Sequence, residues 1–365
     1  MKNWRIVDFG STLGQNVSNP KTFFQPFEYL SESFFTPPNS TLDARYRNLA
    51  VVQRSFVDNK PWSIDYSSFD AVLIVDYEFA TQPLTEYVEK LKKLHKNSNL
   101  LYIVSDTLRG DTHPDCKIHP WFLTTTAKLN SYTPVELWDR PKIFDALLGL
   151  NKPYRQYVFD QLVAHNLCER SYVSILKSHQ GPWSDNHREN STLYRSPDLD
   201  HLETVEAKQA IIDTGFFNSY CQTFNVRGNK RNVSAQIPPA IYNNSYYSLI
   251  CETHDHDWFL SEKTAKPLIA QRPFIMFGGQ HHLAFLRQLG FHTFDQIIDE
   301  SYDSEPNKFL RHKQAFAQAI ELSKMNPRHV YDVLSDALEH NRRLINSDDL
   351  MIPVKDWLFN KLADF

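Results

Sequence analysis

Two glutamates ten positions apart, Glu252 and Glu262, bracket the part of this sequence best suited to chemistry. Glu252 closes the apolar run YYSLICE, the polar loop THDHDWFL follows, and Ser261-Glu262-Lys263 opens a segment of helical character. A helix start offers backbone N–H groups, and a lysine beside it adds an ammonium; both attract phosphate oxygens. A carboxylate in the same crevice suits the hydroxyls of a ribose, from which it can accept hydrogen bonds. The combination points to a nucleoside diphosphate. The structural alternative is a surface helix with a serine cap and an acidic first turn. Pro267 is expected to interrupt that helix unless its first turn starts later.

The loop between the glutamates carries His254-Asp255-His256-Asp257, four side chains able to bind a metal. A metal-dependent hydrolase built on them would need further ligands from elsewhere, so a solvated loop over the pocket is the preferred reading.

These residues need a framework. Trp4–Phe9, Ala71–Val75 and Leu100–Val104 are short apolar runs that read as strands. Leu84, Tyr87, Val88 and Leu91 recur at helical spacing between the last two. The stretch from Asn16 to Asp65, rich in Pro, Ser, Asn and Phe, reads as long loops with one helix at most. A second strand–helix–strand series follows Arg140: KIFDALLGLN (142–151), PYRQYVFDQLVAHN (153–166), SYVSILK (171–177), then YYSLICE, SEKTAKPLIAQ and PFIMFGG. Ser178–Leu202 reads as a polar surface segment, and the tail from Glu305 as mostly helical. The expected fold is α/β, with two Rossmann-like domains facing a cleft and C-terminal helices. The first domain spans 1–141 and the second 142–330; helices in 331–365 are expected to return to the first domain.

The second series resembles the donor-binding half of the α1,3-fucosyltransferase-like and exostosin-like glycosyltransferases of GT-B architecture, including bacterial and phage-encoded members. The resemblance rests on Glu252, the variable loop and Ser261-Glu262-Lys263; on Arg155, Phe159 and Leu162, matching R-x-x-x-[FY]-x-x-L; and on PFIMFGG followed by LRQLGFHTFDQIIDESYD. It covers about 142–305 and implies that Glu262 contacts the ribose, that Lys263 and Arg155 hold the diphosphate, and that Glu252 shapes the pocket. It further implies transfer of a sugar from a nucleotide sugar by a single inverting displacement, without a metal or other cofactor. The family's catalytic base follows a strand of the first domain. Asp106, after LLYIVS, holds the corresponding place, although the family usually has Glu there; Glu78 and Asp76, after AVLIV, compete with it. Arg109 and His113 follow the same strand as Asp106 with no pattern to place them. A nucleotide-binding or glycan-binding protein without turnover, on the same scaffold, is the other alternative.

Composition narrows the partners. The chain has 365 residues, 41% hydrophobic and 22% charged, with only 10 glycines, so packed domains are expected and low-complexity architectures are excluded. A net charge of −4 gives no overall basic field toward nucleic acid or anionic membrane. Local basic runs, RGNKRN (227–232) and HNRR (340–343), leave a polyanionic acceptor such as modified DNA open beside a glycan. Cys116, Cys168, Cys221 and Cys251 show no metal spacing and read as reduced thiols. No apolar run is long enough to span a bilayer, and the opening MKNWRIVDFGS reads as a strand. A cytoplasmic enzyme of a bacterium or an infected host cell is expected.

Overall fold

The computed structural model describes residues 4–8, 17–31, 42, 44–53, 66–75, 84–104, 112–130, 132–135, 139–176, 192–196, 237–256 and 258–365. They form two compact units, one of Met1–Lys128 with Ser347–Phe365, the other of Leu129–Asn346.

The first unit contains β1 (Trp4–Asp8), α1 (Pro20–Phe23), β2 (Glu28–Ser31), β3 (Arg47–Gln53), β4 (Ala71–Val75), α2 (Leu84–His95), β5 (Leu100–Val104), β6 (Cys116–Ile118) and α3 (Trp121–Leu129). The strands make a six-stranded sheet in the order β2-β1-β3-β4-β5-β6, with every pair parallel. Both faces are covered, as parallel strands require. Leu49, Val51, Leu73, Val75, Leu101 and Ile103 point to one core, and Ala50, Val52, Val72, Ile74, Tyr102 and Val104 to the other. This two-residue period explains why β4 and β5 are unbroken apolar runs. β2 and β3 correct the reading of Asn16–Asp65 as loops: NLAVV is a fully buried run hidden among turn formers.

The second unit contains β7 (Lys142–Leu150), α4 (Pro153–Ala164), β8 (Ser171–Leu176), β9 (Thr192–Arg195), α5 (Pro239–Asn243), β10 (Ser245–Cys251), α6 (Glu262–Ile269), β11 (Phe274–Phe277), α7 (His282–Gln288), α8 (Lys308–Leu322) and α9 (Pro327–Asn346). Its sheet runs β11-β10-β7-β8-β9, parallel except for β9, which lies within the expected surface segment. The chain builds outward from β7 to β9, then crosses back to lay β10 and β11 on the other side of β7. That is the doubly wound order 3-2-1-4-5, with its topological switch between β7 and β10. The α/β class with C-terminal helices agrees with the expectation.

The division between the units differs from the one read at 141/142. Residues 129–140 belong to the second unit because Asn130 Oδ1 accepts from the Ile237 N–H (2.9 Å) and Tyr132 Oη donates to Asn243 Oδ1 (2.6 Å). The tail also divides. α9 stays with the second unit, where Tyr331 donates to the Tyr246 carbonyl (2.7 Å) and Asn341 Nδ2 to the His292 carbonyl (2.7 Å). Only α10 (Ile352–Asp364) and the turn before it join the first unit; Val354, Leu358 and Leu362 enter its core, and Trp4 Nε1 donates to the Leu362 carbonyl (2.9 Å).

Candidate nucleotide site at the switch point of the second sheet

Ligands of open α/β sheets sit outside the carboxyl ends of the strands, at the switch point. In the second unit that point lies where β7 and β10 end, and Arg155, Glu252, Ser261, Glu262 and Lys263 all gather there.

β10 delivers Glu252, whose side chain has no exposed surface. Its carboxylate is taken up by protein donors: Oε1 accepts from the Ser261 N–H (3.0 Å) and the Thr264 hydroxyl, and Oε2 from the Ser261 hydroxyl (2.6 Å) and the Thr253 N–H (3.1 Å). The buried charge thus lies at the start of α6, where the helix dipole and orphan donors favour it. Glu252 ties the loop 253–260 to the helix and shapes the site from beneath. Ser261 caps α6 through its side chain, accepting from the Lys263 N–H (3.2 Å). Pro267 lies inside α6, which runs on for two more residues. It does not end the helix at once because its missing N–H costs only one bond in a short element.

β7 contributes through its end. Gly149 adopts φ +69° in a bulge, and a Cβ there would lie 3.3 Å from Arg155 Nη1. Glycine therefore supplies both the left-handed backbone and the space for the guanidinium. Arg155 is 4% exposed and donates from Nη2 to the carbonyls of Glu252 (2.8 Å) and Cys251 (3.3 Å). It joins α4 to the end of β10 across the switch point. Tyr154 adds a hydroxyl donated to the Glu252 carbonyl.

Two lysines complete the group. Lys263 Nζ, with its side chain 23% exposed, contacts Glu262 Oε1 (2.8 Å), Thr253 Oγ1 (3.2 Å) and Ser261 Oγ (3.3 Å). Lys152 Nζ donates to the Thr253 carbonyl, so both ammoniums meet on one residue. Burial, then the charges of Arg155 and Lys263, pulls the Lys152 pKa below the ordinary lysine value. Burial pushes Glu262 upward, but Lys263 and Lys266 outweigh it and hold its carboxyl below its usual value. His254 is kept neutral, its pKa pushed down to about 4 by burial and then by Lys152. Three crowded cations at strand ends are an arrangement that a polyanion relieves. Sequence reading missed Lys152: its only signal is its place before Pro153 at the start of α4, and its approach to Thr253 is a tertiary fact.

Asp255 pairs with His256 Nδ1 (3.2 Å) and Lys308 Nζ (3.6 Å), and Asp257 lies outside the described residues. Among the described residues no group of three or more His, Cys, Asp or Glu is arranged to hold a metal. Asp106, Glu78, Asp76 and Arg109 lie outside the described residues. His113 Nδ1 accepts from the Asp115 N–H (3.1 Å). The run 227–232 is also outside them, and in 340–343 Asn341 serves packing by accepting from the His292 N–H (2.8 Å). Cys116, Cys168 and Cys251 are free thiols, with Cys221 outside the described set. No helix among the described residues is long and apolar enough to cross a membrane.

The sequence matches no protein-family model and no curated relative. Among solved structures, the chain is similar to phage T4 BGT in complex with UDP and Mn2+, at 10% identity and a TM-score of 0.35, with all of both chains covered. A likeness at that level leaves the site to be read from this chain's own residues.

Proposed function

We propose that this chain is a glycosyltransferase that binds a nucleoside-diphosphate sugar on its second unit and transfers the sugar to an acceptor hydroxyl. The observation that carries the reading is the convergence of Lys152, Arg155, Glu262 and Lys263 on the switch point between β7 and β10. The lysines, partly open to solvent, meet the diphosphate oxygens. Arg155 adds its charge from the buried floor, and Glu262 accepts from the ribose hydroxyls. The resemblance at Glu252, Ser261-Glu262-Lys263 and Arg155 supports the same assignment.

The proposed reaction is one inverting displacement. The acceptor oxygen forms a bond to the anomeric carbon while the bond from that carbon to the diphosphate oxygen breaks. The acceptor proton passes to a carboxylate, Asp106 first, with Glu78 and Asp76 as the other candidates. The leaving diphosphate is stabilised by Lys152, Arg155 and Lys263, which favour the charge that develops on it. No metal is assigned to this step, so transfer is expected to survive a chelator. The acceptor is proposed to be a glycan or a hydroxylated base in DNA.

The test is a transfer assay over UDP-, GDP- and CMP-linked sugars with Asp106→Asn, Glu78→Gln and Asp76→Asn made singly. One variant should lose turnover by a factor of about 100 or more while still binding nucleotide. Intact transfer in all three would remove the base assignment, and nucleotide binding without turnover in the wild type would leave a binding protein.

A further inference from the structure

The opposite end of the same sheet's strands carries a cavity. Tyr132, Arg140, Gln271, Tyr331, Leu338 and Glu339 line a space of about 330 Å3. Arg140 stands just before β7 and Gln271 just before β11, so this cavity lies at the amino ends of the strands. β10 alone, at about 3.3 Å per residue over Ser245–Cys251, separates it from the Glu252 end by roughly 20 Å. The volume is in the range of small-molecule pockets, and aromatic and aliphatic side chains share its wall with polar ones.

Its polar groups are unevenly committed. Glu339 already accepts from Gln271 Nε2, and Tyr132 and Tyr331 donate to Asn243 and the Tyr246 carbonyl. The fully buried arginine nearby, Arg272, is paired with Asp145 (3.3 Å). Arg140 has no such carboxylate among the described residues. Its Nη1 donates to the carbonyls of Tyr242 (2.9 Å) and Ser245 (2.7 Å), while its buried Nε has no acceptor among the described residues. A guanidinium held by carbonyls, with no carboxylate beside it among the described residues, is one that an acidic ligand would complete.

We propose that this cavity binds a small organic anion: a carboxylate or comparable acidic group against Arg140, with a planar apolar body between Tyr132, Tyr331 and Leu338. The site is distinct from the nucleotide crevice, because no residue is shared and the two lie at opposite strand ends.

The test is a thermal-denaturation titration of the full chain with benzoate, with benzamide and benzamidine as neutral and cationic matches of the same shape. Benzoate should give a saturable rise in melting temperature and the other two none. Ser335→Trp, at an exposed position on the cavity wall, should abolish the rise without disturbing the core. Arg140→Gln should do the same; because Arg140 also holds two carbonyls, Ser335→Trp decides if that variant folds poorly. Lys263→Ala should retain the benzoate effect, which separates this pocket from the nucleotide site. No rise with benzoate, an equal rise with benzamide, or a rise that persists in Ser335→Trp would overturn the proposal.

Discussion

Replacing Glu252 with glutamine exchanges one oxygen acceptor for an NH2 donor at a place where every neighbour donates. The carboxylate accepts two backbone N–H groups, one on each oxygen, and two hydroxyls. A hydroxyl can rotate and accept instead; a backbone N–H cannot. Whichever way the amide is turned, the N–H of Ser261 or of Thr253 then faces another donor in a site with no solvent. The loss comprises the charge assistance in the three remaining bonds, about 1 kcal/mol each, and the desolvation of one stranded donor, about 1–3 kcal/mol. Glu252→Gln should therefore destabilise the second unit by about 4–6 kcal/mol. Urea denaturation followed by far-UV circular dichroism reads this directly. Thr264→Val, which removes only one hydroxyl donor, should cost about 1–2 kcal/mol in the same assay. A loss below about 1 kcal/mol for Glu252→Gln would refute the clamp, because a stranded buried donor alone costs about 1–3 kcal/mol.

Gly149→Ala should lower stability by about 1–3 kcal/mol, since alanine must hold φ +69° and its Cβ presses on Arg155; unchanged urea midpoints would count against this. Lys152→Ala and Lys263→Ala should each weaken nucleotide binding roughly 10-fold or more, about 1.4 kcal/mol, while leaving the melting temperature of the free protein nearly unchanged; calorimetric titration separates the two effects. Burial, then Arg311, pushes the pKa of His312 down to about 4. The unfolded chain binds that proton near pH 6.5, so this contribution is full above 6.5 and is lost as pH falls toward 4. It amounts to about 3 kcal/mol. His312→Gln should flatten that slope, measured by urea melts at pH 7, 5.5 and 4.5.

What the sequence disclosed follows from how each element is buried. β4, β5, β7, β8, β10 and β11 are legible because parallel strands covered on both faces are continuous apolar runs between turn formers. β2 and β3 are not, because their neighbours are Pro, Asn and Ser, whose local signals dominate a short window. α3 escapes notice for another reason: Thr124, Thr125 and Thr126 are buried, and three β-branched residues without a polar face hide the helical period. The unit boundary is set by single contacts such as Tyr132 to Asn243, which leave no trace in composition. At the site, the pairing of a strand-closing Glu with a capped helix is visible as spacing. That Glu252 spends its charge inside the protein, and that Lys152 stands beside Lys263, are products of the fold alone.

A glycosyltransferase of this kind must bind a nucleoside diphosphate at the ends of β7 and β10. The most direct measurement is a thermal-shift panel of UDP, GDP, CMP and their sugars, with and without chelator, on the wild type and Lys263→Ala. At about 100 times the dissociation constant, a bound nucleotide adds roughly 2.7 kcal/mol, which moves the melting temperature clearly. The expected result is a chelator-insensitive rise with UDP or GDP and its sugars that Lys263→Ala cuts to about half or less, as a site at least 10-fold weaker would. No rise with any nucleotide, or an undiminished rise in Lys263→Ala, would contradict it.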